Sequence, residues 1–127
     1  MASPRVKQML MAAGGAASGG LNVENVFSTF VYKGSGTTAT NYNNGIDLEN
    51  EGGMVWIKHR DQSIRHAMFD TERGVHKFVI PNDTTNEQND VNLGVTAFNS
   101  NGFQLTGNHS ETTGANEKYC SWTFRKA

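Results

Sequence analysis

The sequence holds a single cysteine, Cys120, in 127 residues. That excludes an intrachain disulfide and a cysteine-based zinc cage. Charge is scarce as well: 18% of the residues are Asp, Glu, Lys or Arg, and the formal net charge is −1. A balance so near neutrality gives no electrostatic case for nucleic acid or for an acidic membrane surface. No apolar run approaches the roughly 18 residues needed to cross a bilayer as a helix. Arg5 and Lys7 ahead of Met9-Leu10-Met11-Ala12-Ala13 have the outline of a secretory signal. However, that apolar stretch stops at Gly14-Gly15 after about five residues, short of the roughly 7–15 required. No catalytic motif with diagnostic spacing is present, and no cofactor or metal is expected.

What the chain has in quantity is Asn, Thr, Ser and Gly, which favour turns and strand edges over helices. Length fits one domain, large enough to bury about two-thirds of its unfolded surface. Residues 1–20 differ in composition from the rest. Pro4 can start a short helix with Val6, Met9 and Leu10 at i, i+3 and i+4, ended by Gly14-Gly15. Ala16–Gly20 then reads as a small-residue linker. Val6, Met9, Leu10 and Met11 make an apolar hook that calls for a partner. The expected organisation is therefore a docking arm and linker over 1–24 and a β domain over 25–127.

From Leu21 onward the pattern is β. Val26–Tyr32 is dense in β-branched and aromatic residues. Asn41–Gly45 carries an Asn-Gly turn, and Ile46–Leu48 reads as a short strand. Met54–His59, a charged turn at Arg60–Ser63, and Ile64–Asp70 read as a hairpin closed by Thr71–Gly74. Val75–Ile80 is a further strand, stopped by Pro81. Leu93–Phe98 and Phe103–Thr106 flank a turn at Asn99–Gly102. Asn82–Asn92 and Gly107–Glu117 read as polar loops, and Lys118–Lys126 as the last strand. Seven or eight short strands without an ordinary helix predict an all-β, antiparallel β-sandwich. The core candidates are Trp56, Phe69, Phe98, Phe103, Trp122 and Phe124. The last strand's alternation permits two faces, Cys120-Trp122-Phe124 or Tyr119-Ser121-Thr123.

Candidate chemistry is thin. His59 and His66 flank one turn and are placed to face each other, but their spacing matches no metal motif. Asp70 and Glu72 could serve as a glycosidase pair. Arg65, Arg73 and Lys77 nearby make structural pairing the simpler account, and Asp70, Glu72 and Arg73 are taken as a structural charge cluster. Ser63 with His66 lacks a nucleophile-elbow context, and Cys120 sits in a packed strand. The polar loops 41–44, 82–92 and 108–116 are better binding candidates. Tyr42, read as an exposed aromatic platform, together with Asn43 and Asn44 would suit carbohydrate hydroxyls.

Several blocks in order, Asn44–Leu48, Gly52–Lys58, His66–Gly74, Phe98–Phe103 and Trp122–Lys126, resemble a domain common in virion proteins of tailed phages, especially marine phages and cyanophages. That domain is tail-fibre-like and similar to concanavalin A/laminin-G-like jelly rolls. The resemblance covers about residues 27–127 and brings no catalytic residues with it. It implies a lectin-like jelly-roll sandwich in a non-enzymatic phage structural protein. The expected role is the N-terminal, virion-docking part of a tail fibre, attached through its arm. Expected partners are other virion proteins, either a tail adaptor or nozzle or the capsid shell, and further copies of the chain, a homotrimer being natural for a fibre. The expected location is the virion, on the tail before the capsid surface, after synthesis in the host cytoplasm. A capsid decoration or cement protein is the close alternative. A carbohydrate-binding module for host surface glycans is the alternative from another class.

Overall fold

The computed structural model describes residues 22–127. Val6, Met9, Leu10 and Met11, and the arm they belong to, lie outside the described residues. A 3-10 turn at Val23–Asn25 leads into nine strands. These are β1 Phe27–Lys33, β2 Thr40–Asn43, β3 Gly53–His59, β4 Ala67–Asp70, β5 Lys77–Val79, β6 Gln88–Asn89, β7 Gly94–Asn99, β8 Gly102–Thr106 and β9 Lys118–Arg125. Six form one sheet in the order β1-β9-β3-β4-β5-β6, and three form a second in the order β2-β8-β7. Every strand pair is antiparallel, and the two sheets pack into a β-sandwich.

Period-two alternation fixes which side chains meet between the sheets. The six-stranded sheet sends in Tyr32, Val55, Ile57, Ala67, Phe69, Phe78 and Tyr119; the three-stranded sheet sends in Tyr42, Val95, Phe103 and Leu105. Phe69 and Phe103 are buried as expected, and Phe98 packs against the core from its margin. The other three core candidates stand elsewhere. Phe124 is 40% exposed, and Trp56 and Trp122 are only partly buried. They occupy the outer face because Val55, Ile57, Ser121 and Thr123, one residue out of step with them, take the inner one.

The hairpin β3–β4 lies at the centre of the large sheet, but its second strand begins at Ala67 rather than Ile64. The turn at Ser100-Asn101 joins β7 to β8 as expected. Ile46–Leu48 is a loop, not a strand. The Asn44 side chain accepts the Ile46 N–H at 3.1 Å, and Leu48 N–H donates to Asn99 O at 2.9 Å. Ile46 and Leu48 thereby plug the core as loop residues. The predicted loop 82–92 contains the short strand β6. The other long loop is partly interior: Glu111, Thr112, Thr113 and Gly114 are buried. Three of its backbone groups are satisfied by two core phenols. Tyr32 Oη donates to Thr112 O at 2.6 Å; Tyr119 Oη donates to Ser110 O and accepts from Gly114 N, both at 2.8 Å.

Candidate functional site

The outward positions of the six-stranded sheet form an apolar field. Strand register lines up Thr29, Trp122, Trp56, Met68 and Val79 in one row across five strands. A neighbouring row is Phe27, Phe124, Met54 and Asp70. On the other side, Val31, Cys120 and Lys58 make a third. Aromatic and β-branched residues favour strands whichever face they take, so β-propensity places them here without a core to bury them.

At the centre lies a groove of about 290 Å³ walled by Trp56, His66, Trp122 and Phe124. The two indoles meet edge to face at 6.0 Å and 72°, and Phe27 packs on Phe124 at 4.9 Å. Trp56 Nε1–H donates to His66 Nδ1 at 2.9 Å. The His66 Nδ1 must therefore be bare, with the ring proton on Nε2. The backbone beneath is anchored, since His66 N–H donates to Asn82 Oδ1 at 3.0 Å. The Lys58 ammonium donates to the carbonyls of His59 and Gln62 and holds the β3–β4 turn beside the groove. Partial burial, reinforced by the Lys58 charge, lowers the His66 pKa from its ordinary 6.5.

The sign of that shift fixes a pH response. A lowered folded-state pKa means that the neutral ring supports the fold above about pH 6.5 and that this support is lost as pH falls through the lower folded value. Protonation also fills Nδ1 and removes the acceptor of Trp56. A titration of indole fluorescence is therefore expected to show a transition below pH 6.5 that His66→Phe abolishes; a flat profile in the parent protein would contradict this geometry.

The other sequence candidates separate. His59 points inward, 1% exposed, and its Nε2 lies 2.9 Å from Glu117 Oε1 while Nδ1 accepts Asp61 N–H at 3.1 Å. It thus turns its back on His66 instead of facing it. Among the described residues no group of three or more His, Cys, Asp or Glu is placed to hold a metal ion. Asp70 accepts from Arg73 N at 2.7 Å and Arg73 Nε at 2.9 Å; Arg73 also reaches Glu87, and Glu72 pairs with Lys126 at 2.8 Å. The charge cluster is structural pairing, though Glu72 takes Lys126 and not an arginine. Arg65 goes elsewhere, to Asp83 and Glu111. Burial raises the Cys120 thiol pKa against the opposing pull of Arg60 and Lys58, so it remains a thiol at neutral pH.

Tyr42 corrects an expectation. It is buried, with its ring 4.4 Å from that of Tyr32 and 6.0 Å from Phe103, and its hydroxyl donates to Lys33 O. A buried ring cannot be a sugar platform. Asn44 is engaged too, through Nδ2 to Thr123 Oγ1 at 2.9 Å, whereas Asn43 is exposed. The Trp56–Trp122 groove was not among the sequence candidates. Its signal is Lys58, two positions along the strand from Trp56: one face cannot easily be both the core and the home of an ammonium.

A family described as "Domain of unknown function (DUF7483)" matches residues 23–127. No curated protein and no solved structure matches the chain. Among the described residues no helix is long and apolar enough to cross a membrane.

Proposed function

The chain belongs to the DUF7483 family, whose description assigns no function; we propose that it is a phage virion structural protein that works by docking, not by turnover. In this reading it is the N-terminal, virion-docking part of a tail fibre, trimeric as fibres are, seated on a tail adaptor or nozzle. A decoration protein on the capsid shell is the same mechanism at another address. The supporting observation is the apolar outer face of the six-stranded sheet, with Trp56, Trp122 and Phe124 around one groove. Contiguous apolar surface of this kind marks interaction sites, and buried Trp side chains dominate interface energetics. The nearly neutral chain makes the contact hydrophobic rather than steered by charge.

The test is incorporation. Trp56→Ser/Trp122→Ser removes two anchors, each expected to cost about 2 kcal/mol or more in docking. Because both rings lie outside the core, the variant is expected to keep its far-UV spectrum and cooperative unfolding. It should be missing from purified particles. A folded variant present at the parental copy number would overturn the reading.

The glycan alternative gains one observation, the relocation of the accessible aromatic rings from Tyr42 to the outer face. Sugar stacking there would appear on a glycan array as binding lost in Trp56→Ala and kept in Tyr42→Phe. No binding to any glycan by the parent domain would remove that alternative.

A further inference from the structure

β1 and β6 border the large sheet, β2 and β7 the small one. Three of these edges are blunted. β6 has two residues and β2 four. β7 is interrupted by a bulge between Val95 and Ala97, and its Val95 carbonyl already accepts His76 N–H at 2.9 Å. Short strands and bulges are how proteins keep an edge from pairing with another chain. β1 has neither. It runs for seven residues, FSTFVYK, in unbroken register with β9, without Pro or Gly and with one charge, Lys33, at its end.

The backbone of β1 points half of its groups outward. Arg125 N–H donates to Val26 O and Gly34 N–H to Glu117 O, both at 2.8 Å. The sense alternates along an antiparallel ladder, so Ser28, Phe30 and Tyr32 direct their N–H and C=O toward β9. Those of Phe27, Thr29 and Val31 point away from the sheet and have no partner among the described residues. An extended polypeptide presents N–H and C=O at the same two-residue repeat, about 6.8 Å, and fits this row. Side chains add a preference. Phe27, Thr29 and Val31 stand on the apolar outer face, Val31 being 58% exposed. At the end of β1, Lys33 lies directly opposite Lys118, a like-charged cross-strand pair that destabilises the sheet. Lys118 is 3.9 Å from Asp61, and Lys33 has no ion partner among the described residues.

We propose that β1 takes up an extended segment of the virion partner as an added strand. Its side chains beside Phe27, Thr29 and Val31 are β-branched or apolar, and a carboxylate lies beside Lys33. This rests on the reading of the outer face as the docking surface and adds how the partner is held there. A second copy fits the edge less well. Paired antiparallel about Thr29, it sets Asn25 opposite Lys33, and β1 carries no acidic residue of its own. It also widens the apolar field without covering the Trp56–Trp122 groove. A partner that gives a strand at the margin and its body over the rings does both.

The first measurement is amide exchange in the free chain. An open edge predicts fast exchange at Phe27, Thr29 and Val31, slow exchange at Ser28, Phe30 and Tyr32, and the sedimentation of a monomer. A dimer with slow exchange at the first three would overturn the proposal in favour of a second copy. A monomer with slow exchange there would overturn it because the chain itself covers the edge. The second measurement is incorporation into purified particles. Thr29→Pro deletes an outward N–H, which an edge strand tolerates, whereas Thr29→Val keeps it. Thr29→Pro is expected to keep its far-UV spectrum and cooperative unfolding yet be absent from particles, and Thr29→Val to be present at the parental copy number. Lys33→Glu turns the pair with Lys118 attractive, so its unfolding midpoint should rise while its incorporation falls. Parental incorporation of Lys33→Glu, or of a folded Thr29→Pro, would overturn the added strand. Loss of Trp56→Ser/Trp122→Ser alongside that result would leave the docking reading standing without it. Parental incorporation of the Trp variant alongside loss of Thr29→Pro would remove the apolar face as the docking surface instead.

Discussion

Phe69→Ala is expected to cost about 3–5 kcal/mol of stability, the range for emptying a fully buried aromatic site. Phe69 is 0% exposed at the centre of the large sheet. Its ring lies 5.0 Å from Phe78 and directly over Gly94, where an added Cβ would come within 2.6 Å of two ring atoms. Gly94 has φ of +81°, a conformation that side chains rarely adopt, so the backbone below the ring is held in place and cannot collapse into the space. The expected shift in thermal midpoint is roughly 10–20 °C for a domain of this size. Chemical denaturation should show the change in the midpoint with m unchanged. A cost below about 1 kcal/mol would mean that the inward face has been misassigned.

Tyr119→Ala is expected to be of similar size, about 3–5 kcal/mol, by two mechanisms that can be separated. The ring stacks on Tyr32 at 5.4 Å and meets His59 edge-on at 4.9 Å. The hydroxyl bridges Ser110 O and Gly114 N, so it ties the buried loop 107–117 to β9. Burial raises its pKa above the ordinary 10.0, which keeps the phenol a donor across the physiological range. Tyr119→Phe keeps the ring and leaves a buried N–H without its acceptor, a loss of about 1–3 kcal/mol. Amide exchange at Gly114 and the adjoining loop should then accelerate more than exchange in β3. A neutral Tyr119→Phe with unchanged exchange would contradict the bridging role.

These two sites show which parts of the architecture could be read in advance. Strand alternation, the Ser100-Asn101 turn and the central β3–β4 hairpin are local properties, carried by period-two patterning and turn chemistry. The inward or outward sense of each strand is not local. In β9 both alternating sets are acceptable cores by composition, and the larger aromatic set appears the better one. The structure buries Tyr119, Ser121 and Thr123 instead, because Tyr119 can satisfy its hydroxyl on the loop and the small Ser121 leaves room for Phe30 opposite. Tyr42 misled for a related reason: a tyrosine in a run of asparagines reads as surface, yet its β2 register against Phe103 sends it inward. The buried loop at 111–114 could not be anticipated either, since its polarity is offset by the phenols of residues 32 and 119, both distant in sequence or hidden by strand direction.

For the site, the consequence is direct. The Asp70–Arg73 pair is legible because acidic and basic residues close in sequence pair readily on a turn, whereas the partner of Glu72, Lys126, is distant in sequence. The groove is not, because it is assembled from β3, β9 and the segment before β4, and by composition its Trp56, Trp122 and Phe124 walls read as core. Once the sense of β9 is known, no layer among the described residues covers the outer aromatic rings, and the functional proposal follows from that deficit.

The measurement that bears most directly on this account is a structure of the assembled particle at side-chain resolution. The account predicts that Trp56, Trp122 and Phe124 are buried there against another polypeptide chain. A domain held in the particle by a different surface, with those three rings open to solvent, would contradict it.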